Sequence, residues 1–242
     1  MKNQTAFLFC FLILVPLEMA IAQDILLISG SPDAQSETRR ALWLNGESFK
    51  TAGPEDLNRM DFNLCEYKVI MICEDWDAAL SDAIVDHHLG LEYFARRGGV
   101  VVCLFSGEPA NEKEYRKTWQ ALPLQLKRVS GSAGEPEPGV IDPEQSAHPL
   151  VKRFANNYLG MVSHYGLIPP DEKWRTIAYT ESSGIPIILE LDAGDGKIMA
   201  VSILHLTANY QQKFHYTTLF RNIVGYATGY DSSQRRKKEF YE

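Results

Sequence analysis

Cysteine is scarce: the 242 residues hold four, too few for a fold held together by disulfides. Basic clusters are absent until Arg235-Arg236-Lys237-Lys238, and the formal net charge is -7, so a dominant nucleic-acid role is excluded. No G-x-x-x-x-G-K-[ST] occurs, so Gly30-Ser31-Pro32 is a turn and not a phosphate loop. No residue set has the spacing of a strong metal motif. His87, His88 and Glu92 come nearest, and they read as a helix surface. After residue 22 no apolar run is long enough to span a bilayer, and no internal repeat is present. Nothing in the chain calls for a cofactor or a metal.

What is present begins with an address. Lys2, the apolar run Ala6–Val15 and the ending Ala20-Ile21-Ala22 have the layout of a secretory signal peptide. Residues 1–22 are therefore expected to be removed, with an uncleaved anchor as the alternative. The mature chain would start at Gln23, with no membrane span and a periplasmic or extracellular destination. It keeps Cys65, Cys73 and Cys103. The last two fall in strand-like runs and read as buried thiols, with one disulfide as the alternative.

Asp24–Ser29, Tyr67–Cys73 and Val100–Phe105 are near-continuous apolar runs, the pattern of parallel strands covered on both faces. Helical spacing occupies Gln35–Leu44 and Ala78–Arg97, the second stopped by Gly98-Gly99. A short strand is expected within Phe49–Pro54, a loop or helical turn over Asp56–Leu64, and a helix over Glu112–Leu122. Residues 130–139 read as a flexible insertion loop. Trp174–Thr180 and Ile185–Leu191 read as strands. A hairpin turn follows at Asp192–Gly196, with Gly196 in the unusual backbone angle, and Lys197–Leu204 returns. Phe214–Thr228 is an amphipathic final helix stopped by Gly229, and residues 231–242 form a charged tail. The fold class expected is α/β: a doubly wound, mostly parallel, flavodoxin-like sheet with helices on both faces and a C-terminal β-hairpin, in one domain over residues 23–230.

Several of these points coincide with a known pattern. The helix–Gly98-Gly99–strand unit resembles the "YVxxGGG-strand" unit of the class I glutamine amidotransferase-like superfamily. His148-Pro149-Leu150 with Phe154 resembles the "HPI…F" step of its ThuA-like, trehalose-utilisation branch. Gly196–His205 is similar to that branch's "GRVFYTSLGH" strand, and Gly225–Gly229 to its "GIxWAAG" ending. Leu122-Pro123-Leu124 compares with the "LLPV" step of a sister group, the amidotransferase-like domains beside von Willebrand A modules. The likeness covers most of residues 24–229.

The resemblance also shows departures. Glutamine amidotransferases carry their nucleophile as G-x-C-x-G and a downstream H-x-E. Here Cys103 is kept without either glycine, and His205-Leu206-Thr207 keeps the His but not the Glu. Phe105 stands where the ThuA-like branch places the His of "GLH". A thiol among apolar groups is inert, whereas a nucleophile needs exposure and a base.

Ligands of doubly wound sheets bind at the carboxyl ends of the strands. Four loops are expected there, carrying Gly30-Ser31, Glu74-Asp75-Trp76, Ser106-Gly107-Glu108 and His205-Leu206-Thr207. Ser31, Glu74, Asp75, Trp76, Ser106, Glu108 and Thr207 are the candidate ligand contacts. They suit a small polar molecule, a sugar among them, with Trp76 stacking and carboxylates accepting hydroxyl protons, or a divalent cation held through oxygens and His205. The expectation is an exported amidotransferase-like domain without glutamine amidotransferase activity, binding such a ligand or a protein partner. The alternative is an enzyme: a hydrolase or amidase using Cys103 and His205, or a ThuA-like sugar-processing activity using Glu74, Asp75 and His205. His164-Tyr165-Gly166 falls in a loop with no partner evident in the sequence.

Overall fold

The computed structural model describes residues 24–30, 32–59, 62–73, 78–105, 127–129, 136–164, 166–169, 171–210 and 213–229. The expected leader, the helix at Glu112–Leu122, insertion residues 130–135 and the 231–242 tail lie outside them.

The apolar runs become strands buried along their whole length: β1 (Ile25–Ser29) and β3 (Val69–Cys73), with β4 (Val100–Leu104) buried from Val101 onward. With β2 (Phe49–Ala52) and β11 (Gly196–Val201) they form a parallel block in the order β2-β1-β3-β4-β11. That is the flavodoxin-like order, whose crevice lies where the winding reverses, between β1 and β3. The sheet then continues antiparallel through β10 (Pro186–Ala193), β9 (Trp174–Thr180), β6 (Glu137–Ile141) and β7 (Tyr158–Val162), nine strands in all. A separate antiparallel pair joins β5 (Lys127–Val129) to β8 (Gly166–Ile168).

Strand alternation sends successive residues to opposite faces, and each face has its own core. One is covered by α1 (Pro32–Leu44) and α5 (Phe214–Thr228), the other by α2 (Pro54–Leu57), α3 (Ala78–Asp86) and α4 (His88–Arg96). Helix α5 buries Tyr216, Leu219, Phe220, Ile223, Val224 and Ala227, a stripe at helical period. Each such large apolar side chain contributes about 1.5–3 kcal/mol by leaving water. Gly229 ends α5 in the left-handed conformation at φ 71°, its N–H donated to the Tyr226 carbonyl.

The alternation also settles the thiols. Cys73 opposes Leu104, and Cys103 opposes Ile72, so the two cysteines are one register step apart and point to opposite faces. Both are buried and outside any disulfide, and Cys65 is an exposed thiol.

Four expectations are corrected. The stretch Ala78–Arg97 is two helices, broken at His87, whose ring reaches Asn58 Oδ1 at 3.1 Å and whose backbone leaves helical angles. The hairpin's positive angle belongs to Gly194 (φ 63°), not to Gly196. Gly196 is needed for a different reason: a Cβ there would lie 2.1 Å from the Gly99 carbonyl oxygen. Residues 137–139 are strand β6 and not insertion loop. Finally, β6, β7 and β8 extend the structure where the sequence shows no strand pattern.

Candidate functional site

The register aligns four strand ends in one row: Ser29, Cys73, Leu104 and Val201. The loops expected to carry the site leave from this row, at the carboxyl edge. Of the candidate contacts, Ser31, Glu74, Asp75, Trp76, Ser106 and Glu108 lie outside the described residues. Thr207 and His205 lie within them.

His205 is exposed and holds φ 56°, a conformation non-glycine residues adopt rarely and at some cost. Its carbonyl accepts from Asn209 N–H at 2.9 Å, closing a turn that buries Leu206 and leaves Thr207 6 % exposed. The chain thus projects the imidazole outward just past β11. Cys103 is placed differently. It sits inside β4 between Ile72 and Ala200, 1 % exposed, in the core under α3 and α4. The structure offers solvent the imidazole and keeps the sulfur within the sheet.

The antiparallel half brings further polar groups to this edge. Glu137 opposes Val162, Gly139 opposes Thr180 and Ile188 opposes Val201, so the start of β6 and the ends of β7 and β9 gather beyond β11. The Ser202 N–H donates to the Ile187 carbonyl and the Leu204 N–H to the Ser163 carbonyl, both at 2.8 Å. His164, fully buried, places Nε2 2.6 Å from Glu137 Oε1. Ser182 donates its hydroxyl to the other oxygen of Glu137. Two buried polar atoms here have no hydrogen-bond partner: His164 Nδ1 and Ser202 Oγ.

Sequence reasoning misses this group. Glu137 reads as loop, and His164 finds its partner 27 positions upstream. One signal is available: Ser202 is a lone polar residue in the apolar run Ala200–Leu204, and a buried polar residue is more informative than an exposed apolar one.

A second polar cluster lies toward the opposite, amino edge. Glu190 of β10 is buried, its Oε1 within 3.4 Å of His148 Nε2, 3.3 Å of an Arg175 guanidinium nitrogen and 3.5 Å of Lys197 Nζ. Arg175 and Lys197 also hold Asp192. Burial alone would push the Glu190 carboxyl up. The His148 contact, the Tyr226 hydroxyl and the Lys197 charge outweigh it and hold the group below its usual range. Lys197 is held above its usual range despite burial, by Asp192 and Glu190. Lys197 and Tyr226 also line a cavity of about 490 Å³ with Lys68, Arg97 and Asp195, where β3, β4 and β11 begin. Among the described residues no group of three or more His, Cys, Asp or Glu side chains is arranged to hold a metal ion, and no helix is long and apolar enough to cross a membrane.

No protein-family model and no curated protein matches the sequence. Solved structures do match the fold. A cytoplasmic protein of Salmonella typhimurium superposes with a TM-score of 0.63 at 13 % identity, over 84 % of this chain and 98 % of that one. A ThuA-like protein of Bacteroides uniformis gives 0.52 at 13 % identity, over 88 % and 94 %. An exo-β-1,4-mannosidase of an Opitutaceae bacterium gives 0.54 at 11 % identity, over 86 % of this chain and 36 % of the enzyme. At these identities the likeness is one of fold, and the fold is shared with a ThuA-like protein.

Proposed function

We propose that this chain is an exported domain that binds a small polar ligand, a carbohydrate, at the carboxyl edge of its sheet and performs no thiol-based amidotransferase chemistry. The observation that carries the reading is the contrast at that edge. Cys103 is sealed in a strand, while the edge carries polar groups: exposed His205 in a strained backbone, and the unpartnered atoms of His164 and Ser202. Sugars are recognised by hydroxyl and imidazole groups of this kind. Export rests on the leader-like residues 1–22. The carbohydrate class is supported by the ThuA-like and mannosidase folds, each named for what that protein is, and by the polar set.

The test has two arms. A thermal-shift panel of neutral disaccharides and divalent cations should raise the Tm with a disaccharide and not with the cations. Native labelling with iodoacetamide should modify Cys65 quickly and Cys103 only on unfolding. Fast, pH-dependent labelling of Cys103 restores the amidase reading, and a panel with no stabiliser turns the proposal toward a protein partner.

A further inference from the structure

The cavity of about 490 Å³ at the amino edge, where β3, β4 and β11 begin, lies across the sheet from the proposed sugar site. We propose that it is a second site, for a small organic anion: a carboxylate or phosphate group held by Arg97 and Lys68, with an apolar body against Phe94 and Val100.

The volume falls within the roughly 300–1,000 Å³ of small-molecule sites. The charged walls come from three segments that strand pairing brings together: Lys68 before β3, Arg97 after α4, and Asp195 with Lys197 at the start of β11. Three of these four side chains are basic, in a chain whose net charge is -7. Lys68 meets Asp24 at 2.8 Å, and Lys197 is shared between Asp192 and Glu190. None of those three carboxylates lines the cavity.

Arg97 stands apart. Among the described residues no carboxylate lies within ion-pair distance of it, and its guanidinium carbon is 5.8 Å from the centre of the Tyr93 ring. A guanidinium keeps its charge throughout the ordinary pH range and carries five N–H donors in a fixed fork, which matches a carboxylate or phosphate edge. The Lys68 side chain is 60 % exposed, and exposed ion pairs are weak, so its ammonium can turn from Asp24 to a ligand at little cost. Lys197 is committed to its two carboxylates, which leaves Arg97 with Lys68 as the seat. Asp195, the one acid on the wall, works against a ligand with a second anionic group. Phe94 and Val100 offer the remainder of the ligand an apolar surface.

Cys65 is an exposed thiol on the same wall and reports on the cavity directly. The experiment compares its labelling by two methanethiosulfonates of similar size, one bearing a sulfonate and one a trimethylammonium, read at Cys65 by mass spectrometry. Dividing each rate by that of 2-mercaptoethanol removes the reagent's own reactivity, and the ratio of the two removes the acidity of the thiol. The sulfonate should be favoured about threefold or more at low ionic strength, and the preference should collapse in about 0.5 M salt. R97Q and K68Q should each reduce it. Millimolar benzoate or phenyl phosphate should slow the labelling of wild type by about threefold or more, benzylamine should not, and R97Q should abolish the protection. The better protector of the two anions identifies the group as carboxylate or phosphate. A sulfonate preference no greater than that of the free thiol overturns the proposal. So does equal protection by benzylamine, no protection by either anion, or protection unchanged in R97Q. The wild-type ratio needs no variant and decides even where a substitution unfolds the chain. None of these outcomes bears on sugar binding at the carboxyl edge.

Discussion

Three basic side chains, His148, Arg175 and Lys197, converge on Glu190, and its neighbours predict how stability depends on pH. Its folded-state pKa lies below the ordinary 4.5. As pH falls, the unfolded chain takes up a proton first. Stability is complete above about 4.5 and is lost as pH drops through the folded value. Tyr226 behaves in the opposite sense. Burial, with Glu190 beside it, pushes its hydroxyl from 10.0 up to about 12. Its contribution is complete below pH 10 and is lost as pH rises toward about 12. Urea midpoints followed across pH should show both limbs. E190Q should flatten the acid limb and cost about 1.5–3 kcal/mol near neutrality, because it removes the charge His148 and Lys197 are bonded to. Y226F should flatten the alkaline one. Glu190 is the lone acidic residue within Ile187–Leu191, and a charge inside an apolar run implies a buried partner. The identity of the partner, His148 from 42 positions away, is not contained in the run.

At the scale of elements, two close approaches hold β11 and α4 to their neighbours. Gly196 packs under the carbonyls of Ala95 and Gly99, and Gly99 under the Phe94 ring. The obstacle at Gly196 is backbone, which cannot step aside as a side chain can. G196A should therefore cost about 2–3 kcal/mol, at the upper end of overpacking, and lower the Tm measured by circular dichroism. G184A, where a Cβ meets nothing but φ is +65°, should cost less. On α5, F220A empties a fully buried position and should cost about 3–5 kcal/mol in denaturant melts. Most elements were legible at this scale. Trp174–Thr180 and Phe214–Thr228 match β9 and α5 residue for residue, because an apolar period is a local property. Strands β6 and β7 were not legible. Both include glycine, and β6 a proline, in registers broken by a bulge, so their pattern reads as loop.

At the scale of the whole molecule, the sheet joins a parallel block to an antiparallel one, and the joint runs through β11. That joint brings residues 137, 164 and 202 to the same edge as the loops of a doubly wound fold. The thiols report on its integrity. Cys65 should label at once under native conditions, while Cys73 and Cys103, each 1 % exposed, should be modified at the rate of opening, a ratio read by mass spectrometry across denaturant.

The sequence alone determined the buried strands β1, β3 and β4, the helix α5 and the stop at Gly229, since hydrophobic period and a left-handed glycine act over a few neighbouring residues. It also put Cys103 inside a strand, as a buried thiol, and His205 beyond the end of one. The exposure of His205 was decided by tertiary structure, as were the pairing of His164 with Glu137 and the charges gathered on Glu190. Those depend on strand order and on which face each side chain takes. Both emerge only when segments tens of residues apart are hydrogen-bonded in register.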